Sequence, residues 1–189
     1  MARERIAQAA LEILVTEGAA AVTMRRVAAA AGVTAMAAYK HFANREALLR
    51  AVADTAYREV AASWDRRPGE AGFQARLLRL SDDLLDFALG KPHLYTFLIA
   101  DRRPEQNRFP EDFRQGGSPA FTPVIEVIEQ GIGEGALRDD DPLEMTLAIT
   151  AAAQGLLQMY LSGRVALPER DFRALFKRTM NRVLDGLRA

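Results

Sequence analysis

The sequence predicts an all-α protein of about nine helices, with three short ones folded into an N-terminal helix-turn-helix head and the others forming a larger helical domain. Three observations lead there. Apolar residues recur at spacings of three and four along every long segment, with alanine, leucine, glutamate and arginine between them. No segment alternates as a strand would. Threonine, asparagine, proline and glycine stand where helices of that period must start and stop.

In chain order, the first helix carries Ile6, Ala10, Ile13 and Leu14 on one face and stops at Gly18, a residue suited to the left-handed turn that ends helices. Thr23 caps a second helix with Met24, Val27, Ala28 and Ala31 inward, ended by Gly32. Thr34 caps a third that runs to about Phe42. Asn44 caps a fourth, whose first turn holds Glu46 where the helix dipole favours an acid. That helix continues past Leu48, Val52 and Thr55 toward Trp64, and RRPGEAG, residues 66–72, breaks it. The expected division is therefore a head over 1–52, a connecting helix and linker over 53–72, and a second domain over 73–189.

In that second domain, Phe73, Leu77, Leu80, Leu84 and Phe87 repeat at four, three, four and three, predicting one amphipathic helix that ends at Gly90. Pro92 starts a short helix through Tyr95 and Leu98. Residues 101–117 are polar and proline-rich and read as a long loop. Ser118-Pro119 opens a helix with Phe121, Ile125, Ile128 and Ile132, closed by GIGEGALRDDDP. Asp141-Pro142 starts another that runs to about Gly163, and Pro168 starts the last, carrying Phe172, Leu175, Phe176, Thr179, Val183 and Leu187.

Composition narrows the chemistry. The chain has no cysteine, so neither disulfides nor thiolate metal sites are available. Glu4 and Glu12 interrupt what an export signal would make apolar, and no run approaches a membrane span, so a soluble, cytoplasmic protein with no membrane association is expected. Net charge is zero but uneven. Residues 1–50 hold seven basic and four acidic groups, net +3, and the remainder holds 18 and 21, net −3. A basic first quarter on an acidic chain suggests an anionic partner.

Other constellations dissolve on inspection. His41 and His93 lack partners at zinc-binding spacing. Asp139, Asp140 and Asp141 precede Pro142 as a helix cap. Gly131, Gly133 and Gly135 follow no strand and read as a helix end. No nucleophile elbow or phosphate loop occurs. No catalytic residue, metal ligand or cofactor is assigned, and no enzymatic activity is expected.

Residues 23–42 form the pattern of a short helix, a tight glycine turn and a second helix, the arrangement that places its second helix in the DNA major groove. Ala28, Ala29 and Ala31 let the two helices cross closely, and Val33 plugs the gap. The second helix would expose Ala35, Met36, Tyr39 and Lys40. The Tyr39 hydroxyl can donate to a phosphate, Lys40 supplies a point charge, and Arg45 can reach the backbone beside it. His41 lies along the rim and Phe42 plugs the core. Thr23, Arg25 and Thr34, at the starts of the two helices, complete the candidate DNA-contacting set.

Gly18, Thr23, Val27-Ala28, Ala31-Gly32-Val33, Tyr39-Lys40-His41-Phe42 and Asn44-Arg45-Glu46-Ala47-Leu48 together resemble the DNA-binding domain of the tetracycline-repressor (TetR) family of transcriptional regulators over residues 3–52. This sequence departs from the pattern at Met36, Ala37 and Ala38, where a small residue, a hydroxyl residue and a branched aliphatic are common, and at Arg45, where lysine is commoner. Ala37 therefore lacks one hydroxyl for phosphate.

The resemblance implies a homodimeric repressor of palindromic double-stranded operator DNA, with a small-molecule effector held in the second domain. Phe87, His93, Tyr95, Leu98, Phe121, Ile125, Gln154 and Gln158 are the candidates to line that effector site. The small residues of AITAAAQG (148–155), with Ala148, Ala152 and Gly155, pair with Phe172, Phe176, Thr179 and Val183 as the candidate dimer interface. An aromatic lining with few fixed charges suits an apolar or amphipathic effector. The alternative reading is a helical ligand-binding or protein-interaction module that keeps the head fold without sequence-specific DNA binding.

Overall fold

The computed structural model describes residues 1–64, 72–100, 109–114 and 121–189. Among them the helices are α1 (Ala2–Glu17), α2 (Met24–Ala30), α3 (Ala35–His41), α4 (Arg45–Trp64), α5 (Phe73–Gly90), α6 (Pro92–Tyr95), α7 (Glu111–Arg114), α8 (Thr122–Gly133), α9 (Pro142–Leu161) and α10 (Glu169–Asp185). A 3₁₀ turn occupies Ala19–Ala21, and α6 runs on as a π-helical turn, Thr96–Ala100. No strand occurs among the described residues; Leu137 and Arg188 form an isolated bridge. The fold is all-α, as the periodicity predicts, with ten helices among the described residues. The predicted break at 66–72 lies outside the described residues except for Gly72, as do the expected helix start at Ser118-Pro119 and most of the loop 101–117, within which Glu111–Arg114 is helical.

The chain forms two compact units, Met1–Val60 with Ala88–Arg103, and Ala61–Phe87 with Pro104–Ala189. In the first, α1 buries Ile6, Ala9, Ala10, Ile13 and Leu14 and packs on α2, α3 and α6. Met24, Val27 and Ala28 of α2, Ala38 of α3, Phe42, and Leu48, Val52 and Ala53 of α4 complete the head core. This grouping differs from the expected division in running on to Val60 and in taking in residues 88–103. Leu94, Tyr95, Phe97 and Leu98 are buried there, and the Tyr57 phenol of α4 donates to the Leu98 carbonyl. Gly18, at φ +87°, sits against His93: a Cβ there would lie 3.3 Å from His93 Nδ1.

In the second unit, Phe73, Leu77 and Leu80 of α5, Val124, Val127 and Ile128 of α8, Met145 and Ile149 of α9, and Leu184 of α10 share one core with Leu137 and Leu187. Gly131 of α8 packs so closely that a Cβ would lie 2.8 Å from both Leu137 Cδ1 and Phe73 Cδ2. Along α10, Arg173 and Lys177 pair with Asp86 and Asp82 of α5. The Tyr160 ring of α9 stacks on Phe172 at 3.8 Å between centroids, with the planes 9° apart. Asp141 caps α9 by accepting from the Leu143 N–H at 2.8 Å.

Candidate nucleic-acid interface

The turn between α2 and α3 is set by hydrogen bonds that its sequence makes possible. The Gly32 N–H donates to the Ala29 carbonyl at 3.1 Å, and the Val33 N–H reaches back to the Ala28 carbonyl at 2.9 Å. Gly32 adopts φ +64°, the left-handed region where a Cβ is strained, although among the described residues nothing beyond its chain neighbours lies within 4 Å of the place a Cβ would take. Backbone conformation, not space, demands glycine here. Val33 is half-buried in the gap.

Both helices of the motif are short, seven residues each, and each starts on a threonine. Thr23 Oγ1 accepts from the Arg26 N–H at 3.3 Å, and Thr34 Oγ1 from the Ala37 N–H at 3.1 Å. Capping uses an oxygen lone pair, so the proton of each exposed hydroxyl stays available to donate to an outside acceptor. Ala38 is the one buried residue of α3, joined by Phe42 one turn later, where the Phe42 N–H donates to the Ala38 carbonyl at 3.0 Å. A methyl and a phenyl dock the helix.

Beyond Ala38, Ala37 is half-buried and the rest of α3 is exposed. Met36 is 74% exposed and Tyr39 53%, and Ala35, Lys40 and His41 are exposed with them. Met36 thus leaves most of its apolar surface, and Tyr39 about half of its own, in water. Lys40 has no ion pair among the described residues. On α2 the exposed Arg26 is neutralised by Glu17, whereas its exposed neighbour Arg25 has no ion pair among the described residues. The structure thus brings Thr23, Arg25, Thr34, Ala35, Met36, Tyr39, Lys40 and His41 to exposed positions on the two helices of the motif.

Arg45 behaves otherwise. Expected to reach outward, it donates from Nε to the Val22 carbonyl at 2.7 Å and from Nη2 to the Ala19 carbonyl at 2.5 Å. Arg3, which the sequence pattern left unassigned, lies with its guanidinium carbon 5.2 Å from the centroid of the Phe42 ring. It stands a residue apart from an acid in the first turn of α1, and nothing local in the sequence points from there to Phe42.

The candidate effector residues divide between the two units. Phe87, Phe121, Ile125, Gln154 and Gln158 belong to the second unit, whereas His93, Tyr95 and Leu98 belong to the unit of the head. Tyr95 and Leu98 are buried core there, and burial pushes the Tyr95 phenol far above its ordinary pKa. His93 is exposed beside Gly18. Phe121 and Ile125 are half-buried, and Phe121 meets the Phe113 ring edge-on at 4.6 Å. Gln154 is half-buried and Gln158 exposed. Thr146, which no sequence pattern marks, is fully buried with a hydroxyl that has no hydrogen-bond partner among the described residues.

Of the candidate interface residues, Phe172 and Phe176 are 0% exposed within their own chain, so neither offers a free surface to a second copy. Their apolar period is spent on α9 and the Tyr160 ring. Ala148 and Gly155 are exposed, with open space where a Gly155 Cβ would go, and Ala152, Thr179 and Val183 are half-buried. Leu147, Ala151 and Met159 extend the exposed apolar side of α9.

Among the described residues, no helix is long and apolar enough to cross a membrane, and no group of three or more potential ligands could hold a metal ion.

Residues 6–52 match the family described as bacterial regulatory proteins, tetR family, and residues 77–183, more than half of the chain, match the tetracyclin repressor-like C-terminal domain. The nucleoid occlusion factor SlmA of Marinobacter nauticus is 28% identical over 177 residues, covering 90% of this chain and 89% of that protein. A structure of a protein of unknown function from a Rhodococcus species superposes with a TM-score of 0.80 at 20% identity, over 100% of this chain and 96% of that one. A TetR transcription regulator from Haloarcula marismortui gives a TM-score of 0.76 at 23% identity, over 100% and 98%. At these identities the two structures share the fold.

Proposed function

Because the chain belongs to the tetR family of bacterial regulatory proteins, we propose that it is a homodimeric, ligand-responsive transcriptional repressor acting in the cytoplasm. It binds a palindromic operator through α3 and is released by a small apolar or amphipathic effector. The observation that carries the DNA-binding part is the exposed outer face of α3, with Met36, Tyr39 and Lys40 presented to solvent by a helix whose own core contact is reduced to Ala38. Met36 reads base edges, Tyr39 and Lys40 hold phosphates, and Thr23, Arg25, Thr34, Ala35 and His41 lie along the backbone on either side.

Two-fold symmetry is the commonest way to offer two such helices to one palindrome. The exposed small residues Ala148, Ala151 and Gly155 of α9 support a seam between copies there, flanked by Thr179 and Val183 of α10. The effector site is proposed within the second unit, among α5, α8 and α9, where half-buried Phe87, Phe121 and Ile125 supply apolar lining and Gln154 a polar group. Such a ligand acts through its difference in affinity between two head arrangements, typically about 1–3 kcal/mol, or roughly five- to 150-fold in operator affinity.

The test is selection of bound duplexes from a random library, followed by gel shift. Enrichment of a two-fold symmetric sequence that survives excess nonspecific competitor is the expected result. Absence of any enriched sequence favours a binding module that keeps the head fold without reading DNA.

A further inference from the structure

Arg45 is the first residue of α4, three positions beyond Phe42, where the helix-turn-helix ends. Val22 is the last residue before Thr23, the cap with which the motif begins. The Arg45 guanidinium joins these two ends directly. Nε donates to the Val22 carbonyl at 2.7 Å across 23 residues of chain, and Nη2 donates to the Ala19 carbonyl at 2.5 Å across 26. The intervening 3₁₀ turn, closed by the Val22 N–H on the Ala19 carbonyl at 3.2 Å, holds both acceptors within reach of one planar fork. Two of the five guanidinium N–H donors, one on Nε and one on Nη2, are thereby used inside the protein. The remaining nitrogen, Nη1, stands 3.9 Å from the Glu46 carboxylate, so a phosphate approaching it would meet a negative charge.

We infer that Arg45 is a positioning residue, a clamp that closes the helix-turn-helix at its base and fixes how α3 stands on the head, and that it is not a phosphate contact. A guanidinium suits this task because its donors diverge in a fixed plane toward two carbonyls, whereas the ammonium of lysine is a point charge on a flexible stem. Arg45 transmits nothing to DNA by charge; it acts through the placement of Met36, Tyr39 and Lys40. The inference rests on the reading that the head binds DNA, and two measurements separate its failure from the failure of that reading.

The first compares the full-length wild type with Arg45→Lys, Arg45→Ala and Lys40→Ala, each verified as folded, binding the duplex selected by the wild type over a series of salt concentrations. Arg45→Lys and Arg45→Ala should both lose about tenfold in affinity, the scale of one charge-assisted hydrogen bond, at the wild-type salt slope. Lys40→Ala should lower the slope by about 0.9, one released counterion. Wild-type affinity in Arg45→Lys together with a slope lowered by about 0.9 in Arg45→Ala would overturn the inference.

The second measurement needs no folded variant and no operator. In the free wild-type protein the Arg45 Nε–H should be protected from solvent exchange, and adding a duplex should leave it so. An Nε–H that exchanges freely and becomes protected only with DNA overturns the clamp. A protein that binds no duplex yet protects this proton leaves the clamp standing and removes the DNA-binding reading instead.

Discussion

The head and the second unit are built from the same helix-forming residues and solve different problems. In the head, α2 and α3 have seven residues each, too few to persist alone, and they stand because each end is fixed by a particular group: Thr23, Gly32, Thr34 and the Arg45 guanidinium. In the second unit, α9 and α10 have 20 and 17 residues and are held by long apolar faces, with α10 also anchored by ion pairs to Asp82 and Asp86. The two glycines that matter make the same contrast. Gly32 is required for its backbone angle, with open space around it, and Gly131 for closeness, with Leu137 and Phe73 where a side chain would begin. A short-helix device depends on single residues; a long-helix core depends on sums of contacts.

The largest effect expected from breaking that contrast is in the second unit. Phe172→Ala removes a ring that is fully buried and stacked on Tyr160, and should cost about 3–5 kcal/mol in a denaturant titration. A variant that merely changed its oligomeric state at an unchanged unfolding midpoint would instead put Phe172 on the seam between copies.

Next comes Gly155→Trp. Apart from its own helix, nothing among the described residues lies within 4 Å of the new Cβ, so the helical circular dichroism and its melting profile should be preserved. If α9 is the seam, overpacking on both sides of the two-fold should weaken the dimer by roughly 2–6 kcal/mol, about 1–3 per copy, and light scattering at micromolar concentration should report a monomer. A dimer unchanged in this variant would move the seam elsewhere.

How far the two regions could be read in advance follows from the same contrast. Thr34, Asn44 and Gly32 were legible because capping and left-handed turns are local chemistry, decided within three or four residues. Ala47 does donate its N–H to Asn44 Oδ1 at 2.8 Å. Arg45 was not legible, because its acceptors lie 23 and 26 residues away and only the folded turn brings them near. Phe172 and Phe176 mislead for another reason: one apolar period serves equally for a core within a chain and a seam between chains. Tyr95 and Leu98 are ordinary buried residues whose unit is decided by the packing of α6 on α1, which no spacing announces.

Smaller effects sharpen the head side. Gly32→Ala should cost about 1–2 kcal/mol from the left-handed backbone alone, with no clash to relieve. A second substitution that opened more space around residue 32 should therefore rescue nothing, and a rescue measured by thermal melting would show that packing matters there. Smallest of all, Thr34→Ala should cost about 1 kcal/mol through the lost cap on the Ala37 N–H, whereas Thr34→Ser, which keeps the acceptor, should lie close to wild type in the same melt.

The central claim, that the exposed face of α3 is what meets DNA, is tested most directly by fluorescence anisotropy of a labelled duplex over a salt series, comparing the wild type with the Tyr39→Ala, Lys40→Ala double variant. Both side chains are exposed, so the variant should melt as the wild type does. Its affinity should fall by roughly 150- to 25,000-fold, the scale of two hydrogen bonds to a charged partner at about 1.5–3 kcal/mol each, and its salt slope by about 0.9 for the single lost cation. Equal affinity and equal slope in the folded double variant would contradict the claim.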